Sequence, residues 1–475
     1  MVLSRLCFAV MALASWFAHA QSPVAAVPVG AVEQLRGAGF AQSQGQPPRV
    51  LGRGLPLNEG DRLTTADNAV AIIKLTDGTR ITLRPSTELV LHQFSYTPDS
   101  SVNTMVLQLL RGGLRALTGL INKSSPNAAK IQTSTATIGI RGTDFDARLC
   151  QAAECGRTGT ATPKRIVIAA SARVLLQQGG VSALDEQGQR RAMALGSSIY
   201  PGDTVETANN ASVLLAFRDD SKVSLGAGTR FRVDDFAYDT ASGSANRSFV
   251  SLLRGSLRAV TGAIGKSNRQ NVRFTSSTAT IGIRGTELGM ICTGLCAGDA
   301  PTASAANGDS GLTVFTYEGA VVVNLTPPAS SSAPPTSPLP ASIELSAGQG
   351  VVVSGLAGEQ QVRPLTAPTP ALPSSSPSDV LIPPDTFLQS AVPEGAEGLY
   401  VFVREGHVLV STARQQLDLG NGEAAYSSPA LDVLRLRDIP AHIATDLTPL
   451  PAAANINITG LRPLASSDPI CRPAP

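Results

Sequence analysis

The amino-acid sequence predicts an all-β protein. Two tandem copies of one unit, each a twisted sandwich or a solenoid-like stack of short strands, are followed by a small β region. Three observations carry that reading. The decapeptide STATIGIRGT occupies residues 134–143 and returns unchanged at 277–286. It lies inside a longer duplication: LLRGGLRALTG (109–119) reappears as LLRGSLRAVTG (252–262), AIIKLTDGTRITL (71–83) as LLAFRDDSKVSL (214–225), and EGDRLTTADNA (59–69) as PGDTVETANNA (201–211). A long internal repeat means two copies of one structural unit. The runs VAIIKL, RITL, VLLAF and KVSL are short, partly alternating and rich in Val, Ile, Leu and Thr, and turn residues such as Asp77-Gly78 and Asp219-Asp220-Ser221 separate them. Asp-Gly between two such runs signals a hairpin, with a type I′ turn as the expected form.

The elements follow in chain order. Residues 1–20 have the layout of a secretory signal peptide: Arg5, an apolar run from Leu6 to Phe17, then Ala18-His19-Ala20, with cleavage expected between Ala20 and Gln21. Unit 1 is expected over 21–163 and unit 2 over 164–363, with a Pro/Ser-rich insertion at 326–341. Residues 364–384 read as an extended, unpacked Pro-rich linker, and 385–475 as a small β region and tail. LTVFTYEGAVVV (312–323) and LYVFVREGHVLV (399–410) resemble one another, each followed by a Gly-bearing turn.

Within the decapeptide, strand alternation puts Ala136, Ile138 and Ile140 on one apolar face and Thr135, Thr137, Gly139, Arg141 and Thr143 on the other. The strand therefore completes a core in each copy. Gly139 suits a bulge or a close backbone approach. Arg141 and Arg284 are candidate structural or partner-contact residues, and Arg111/Arg115 with Arg254/Arg258 form another repeated set. An Arg at a strand end can hold a carboxylate bidentately, with Asp144 or Glu287 nearby. A bulge at Gly142 or Gly285 would be needed to bring those acids to the same face.

Removing the signal leaves 37 basic and 36 acidic residues, a balance that argues against nucleic acid or an anionic membrane surface as a partner chosen by charge. No later apolar run approaches the length of a membrane span. The only Trp, Trp16, leaves with the signal, which disfavours sugar stacking on aromatics. Five cysteines remain. Cys150/Cys155 and Cys292/Cys296 read as candidate small disulfide loops in an exported protein, ahead of a four-thiolate zinc site, with cross-pairing between copies open and Cys471 left over.

No catalytic motif stands out. Lys266 in AIGKSN lacks the glycine that a phosphate-binding loop needs, since Val260 stands there. There is no Gly-x-Ser-x-Gly, and the mature chain has only His92, His407 and His442. No enzyme activity, cofactor or metal is expected.

The order Gly-Asp, Asp-Gly, Leu-x-Gly-x-Leu and Thr-x-x-x-Arg-Gly-Thr-acid resembles the FecR-like domain. It is carried by Gly60-Asp61, Asp77-Gly78, Gly112 and Thr137 to Asp144, and again by Gly202-Asp203, Gly255 and Thr280 to Glu287. The resemblance implies an all-β, protein-contacting periplasmic module of a Gram-negative bacterium. Regulators of this family look like inner-membrane proteins with a cytoplasmic sigma-controlling segment; here an expected cleavable signal and two domain copies stand instead. The function expected is an exported, non-catalytic scaffold or protein-binding module, accessory to envelope signalling. The alternatives are a sigma-factor regulator and a component of a secretion or surface assembly. The partner expected is an envelope protein or a second copy of the chain. Its place is the periplasm, the cell exterior or the outer-membrane surface.

Overall fold

The computed structural model describes residues 27–444, apart from 99, 101, 125–127, 152–154, 156–163, 167–169, 187, 241–244, 284, 300–310, 327–341, 355–360 and 394. The expected signal peptide with its Ala20/Gln21 cleavage, nearly all of the 326–341 insertion, Arg284 and Cys471 lie outside the described residues. The regular structure of the described chain is almost all strand, with helices of a single turn.

Each unit is a two-layer stack, and the chain advances along both layers together. In unit 2 one layer runs from strand Ala172–Gln178 through Ser212–Phe217, Lys222–Leu225 and Glu287–Cys292 to Gln361–Leu365. The facing layer runs from Val181–Leu184 through Arg230–Ala237 and Val272–Thr275 to Ser342–Ser346. Between the layers lies one continuous apolar core. Strand Arg247–Val260 belongs to both: Arg247–Arg254 pairs in one layer and Gly255–Val260 in the other. The corner falls at Gly255, whose φ is +86°, and a Cβ there would sit 2.5 Å from the Thr229 backbone. Gly112 (φ +77°) makes the same corner in unit 1, in strand Thr104–Leu117. The glycine of Leu-x-Gly-x-Leu is thus where a strand changes sheets.

The decapeptide strand behaves as its alternation predicts: Ala136, Ile138 and Ile140 are buried, and Thr137 and Gly139 half-buried. Strand Thr137–Cys150 shifts register between Arg141 and Asp144, so the irregularity lies there and not at Gly139. The hairpin at Asp77-Gly78 differs from expectation. Gly78 alone has positive φ (+88°), and its amide donates to the Leu75 carbonyl at 3.0 Å. This is the three-residue loop with a left-handed last position, not the two-residue type I′ turn; Asp220 (φ +64°) takes that position in unit 2. Most of the AIGKSN segment forms a one-turn helix, Ala263–Ser267.

The C-terminal strands depart from the expected layout. Strand Gly398–Ser411 is not a separate region: it lies antiparallel beside Thr137–Cys150, in register from Thr137↔Ser411 to Cys150↔Gly398. Strands Gln416–Leu419, Ala424–Ser427 and Leu434–Arg435 continue the unit 1 layers outward. Their side chains Leu399, Val401, Val408, Val410 and Leu419 enter the unit 1 core. In unit 2 the same place is filled by the next strands in the chain, Gly311–Glu318 and Ala320–Leu325. Unit 1 is therefore discontinuous, and unit 2 is inserted within it. The cause is physical: a half-buried strand leaves an edge of unpaired backbone groups and an uncovered apolar face, and the echo sequence at 399–410 is the one that covers both in unit 1.

The expected free linker is also packed. Unit 2 has Leu175, Leu214, Ala216, Ile291 and Phe315 on the outer side of one layer. Residues 366–387 cross that surface as a strap: Leu372 packs on Ile291 and Phe315, and Val380, Ile382 and Phe387 pack on Leu175, Leu214 and Ala216. Lys222 Nζ donates to the Val380 carbonyl, and Arg258 Nη1 to the Ser374 carbonyl at 2.7 Å. An apolar patch of that extent is unfavourable in water unless covered, so this Pro-rich segment is held.

Candidate functional site at the junction of the two units

The residues of the repeated motifs are spent on the fold. Asp61 accepts from the Asn58 amide (2.8 Å), Ser43 and Arg49, and Asp203 from the Tyr200 amide (2.7 Å) and Arg191. Asp77 and Asp219 tie their hairpin turns through Thr79 and Ser221. Thr65 and Thr207 donate to the carbonyls of Arg84 and Gly226, at 2.6 Å in each case.

The acid after Arg-Gly-Thr is held by an arginine of the neighbouring strand. Asp144 is held by Arg115, whose Nε is 2.8 Å from Oδ1, and Glu287 by Arg258, whose Nε is 2.6 Å from Oε1. The register shift turns the acid towards the neighbouring strand, where the diagonal cross-strand position belongs to that second arginine. The Arg141 backbone lies opposite His407; its side chain is outside the described residues. The sulfurs of Cys150 and Cys155 are bonded, as are those of Cys292 and Cys296, with Cα separations of 5.6 and 5.2 Å.

The two copies diverge on one face. In unit 1, buried Asp146 takes hydrogen bonds from Arg84 and, at 2.7 Å, from Arg404 Nε of the C-terminal strand. Burial pushes its carboxyl above the usual range, against the pull of Arg84 and Arg404. In unit 2 the matching positions are Gly226, Gly289 and Tyr317. A Cβ on Gly289 would meet Leu372 at 2.8 Å, so the missing side chain is the slot for the strap. One copy uses this position for a charged clamp and the other for an apolar one.

The most concentrated chemistry lies where unit 2 meets the C-terminal strands. Arg173, Glu423, Asp418, Arg435 and His407 are all under a tenth exposed. Arg173 Nη2 donates to Glu423 Oε1 at 2.5 Å, and its Nη1 to Ser198 Oγ at 2.5 Å. The Gly420 amide donates to Glu423 Oε2 at 2.9 Å, and Arg435 Nη2 to the Asp418 carbonyl at 2.7 Å. His407 Nδ1 lies 3.6 Å from Asp418 Oδ2, and its ring meets Tyr200 edge-on at 5.7 Å. Burial, with the charge of Arg173 beside it, lowers the Arg435 guanidinium to about 10. Burial, then the charge of Glu423, raises the Tyr200 phenol above its ordinary value. Gly420 is needed for contact, since a Cβ there would overlap the Tyr200 hydroxyl. Two arginines facing two carboxylates make a charge-balanced, desolvated junction. Beside it opens a polar cleft of about 400 Å³, lined by Glu186, Arg190, Arg191 and Tyr200 from unit 2 and by Glu405 and Asn421 from the C-terminal segment.

The pattern of the FecR protein family matches residues 61–161 and 203–322. The chain carries two FecR domains. Both matches fall on the stacks described above, and the described residues repeated between them include the corners, turn caps and ion pairs of those stacks. Two crystal structures of a "putative anti-sigma factor" from Parabacteroides distasonis ATCC 8503 are similar at 14% and 13% identity. Each match has a TM-score of 0.23 and covers 34% of this chain and 59% of the solved one. The chain thus spans about three-fifths of the length of those solved chains. No curated protein matches it.

None of the junction residues emerged as a candidate from the sequence. One signal was present: Arg173 stands in ARVLLQQ, an apolar first strand whose counterpart in the other FecR domain has Ala31. A charge in such a strand needs a buried partner.

Proposed function

We propose that this chain is an exported, non-catalytic scaffold that binds a protein partner in the bacterial envelope and serves as an accessory to FecR-type signalling. The observation that carries this reading is the use of the described polar residues that the two FecR domains share: Asp61/Asp203 and Asp77/Asp219 cap turns, and Asp144/Glu287 sit in structural ion pairs. What distinguishes one copy from the other is how the outer side of one layer is closed, by a charged clamp around buried Asp146 in unit 1 and by the strap over an apolar face in unit 2. Diversified surfaces on a repeated frame suit contact with macromolecules better than chemistry on a small substrate. The family match supports a signalling setting. No described helix is long and apolar enough to cross a membrane, and the periplasm is the proposed location.

The test is affinity capture of the tagged mature protein from crosslinked envelopes. Reproducible recovery of one receptor or signalling component supports the reading. Recovery of secretion or surface-assembly components instead would move the protein to that class, and recovery of the chain alone would point to self-association.

A further inference from the structure

We propose that the Cys150–Cys155 pair of unit 1 is a redox-gated zinc site, completed by His442. Cys150 ends the long strand Thr137–Cys150, Cys155 follows five residues later, and His442 lies on the one-turn helix Ala441–Ala444 near the end of the described chain. The two sulfurs and an imidazole nitrogen of His442 lie within 4.8 Å of one another, and all three residues are buried, at 2%, 1% and 6% exposure. This is the one such grouping of metal-ligating side chains among the described residues.

Tetrahedral zinc with bonds of about 2.3 Å to sulfur and about 2.0 Å to nitrogen sets its ligand atoms roughly 3.5–3.8 Å apart. The histidine nitrogen, within 4.8 Å of both sulfurs, is no more than roughly 1.3 Å too far for that geometry, and the sulfurs must part by less than ~2 Å once their bond is opened. The Tyr400 ring meets the His442 ring edge-on at 4.9 Å and fixes its plane. Among the described residues Cys292–Cys296 of unit 2 has no histidine in such a grouping, so the site belongs to the domain that the C-terminal strands complete.

The chemistry balances with a dithiol reductant. The S–S bond breaks, each cysteine sulfur gains one electron and one proton, and the reductant leaves as its own disulfide. Zn²⁺ then displaces the two thiol protons to solvent and takes two thiolates and one imidazole nitrogen, with water in the fourth position. While the disulfide stands there are no thiolates to bind metal. The consequence is mechanical: zinc would tie the end of the C-terminal segment to the end of the Thr137–Cys150 strand, where the disulfide closes only a local loop.

The test uses the mature full-length chain carrying Cys471→Ser, so that the leftover thiol takes no part. Zn²⁺ is titrated against a chromophoric chelator before and after mild reduction, with Co²⁺ as a spectroscopic probe. The expected result is no zinc bound when oxidised and one zinc per chain when reduced. Co²⁺ should then give the intense visible bands and near-ultraviolet thiolate band of a tetrahedral sulfur site. His442→Gln should weaken binding at least tenfold, and Cys292→Ser/Cys296→Ser should leave the stoichiometry at one. His442→Gln is first checked for an unchanged oxidised melting curve. If it melts early, Cys155→Ser takes its place, and retention of the Co²⁺ thiolate band in that variant overturns the proposal. Absence of zinc uptake on reduction, or uptake indifferent to His442, also overturns it.

Discussion

Arg173 and Glu423 are 250 positions apart in the chain, yet their side chains meet at 2.5 Å with 1% and 3% of each exposed. The bond joins the first strand of unit 2 to the turn between two C-terminal strands of unit 1. It is the chemical seam of an insertion, one FecR domain held inside the two halves of another.

Breaking that seam on one side strands a buried charge. Glu423→Gln should cost about 3–5 kcal/mol, and Arg173→Met a similar amount. The double variant should recover part of the loss, because both charges are gone. Chemical denaturation of the four proteins measures the coupling. Strict additivity of the two single losses would mean that the pair is not a unit.

The insertion also predicts which fragments fold. Residues 171–365 contain every described strand of unit 2 and should unfold cooperatively alone. Residues 27–163 lack the strands that cover Ile138, Ile140 and Phe145 and should gain native-like structure only when residues 388–444 are supplied. Circular dichroism and amide-dispersion NMR distinguish the cases; a well-dispersed spectrum from 27–163 alone would refute the discontinuous domain.

Leu372→Asp should release the strap without unfolding unit 2. Burying a leucine contributes about 1.5–3 kcal/mol, and the slot over Gly289 accepts no charge. The expected readout is increased binding of a hydrophobic dye together with new proteolytic cuts within 366–387. Unchanged cleavage would show that the polar contacts of Lys222 and Arg258 suffice to hold the segment.

The junction makes stability depend on alkaline pH. The Tyr200 phenol is raised above its ordinary value of 10.0 by burial and the charge of Glu423, so the folded protein keeps a proton that the unfolded chain releases. That contribution is fully present below pH 10 and is lost as pH rises towards the folded value. Denaturation midpoints from about pH 8 to about pH 11 should therefore fall more steeply for the wild type than for Tyr200→Phe. Parallel curves would remove Tyr200 from the titration.

The sequence by itself determined most of what short range governs, though not the turn type at Asp77-Gly78. Alternation placed Ala136, Ile138 and Ile140 inward, the duplication counted the units, and the need for a bulge after Arg141 followed from the opposite parity of the Arg and the acid. The family pattern was legible because its residues act within a few positions of themselves: Asp61 caps its own turn, and Gly112 turns its own strand. The tertiary structure alone decided pairing across distance. Both STATIGIRGT strands present the same edge, and the hairpins at 312–323 and 399–410 are alike enough that local pattern cannot say which closes which. Nor can composition tell a free Pro-rich linker from one drawn over an apolar face, since that depends on Leu175 and Phe315 lacking other cover. Arg173, Glu423 and Tyr200 became a site only through docking, because a charge on a strand carries no mark of its partner until the fold takes water away from both.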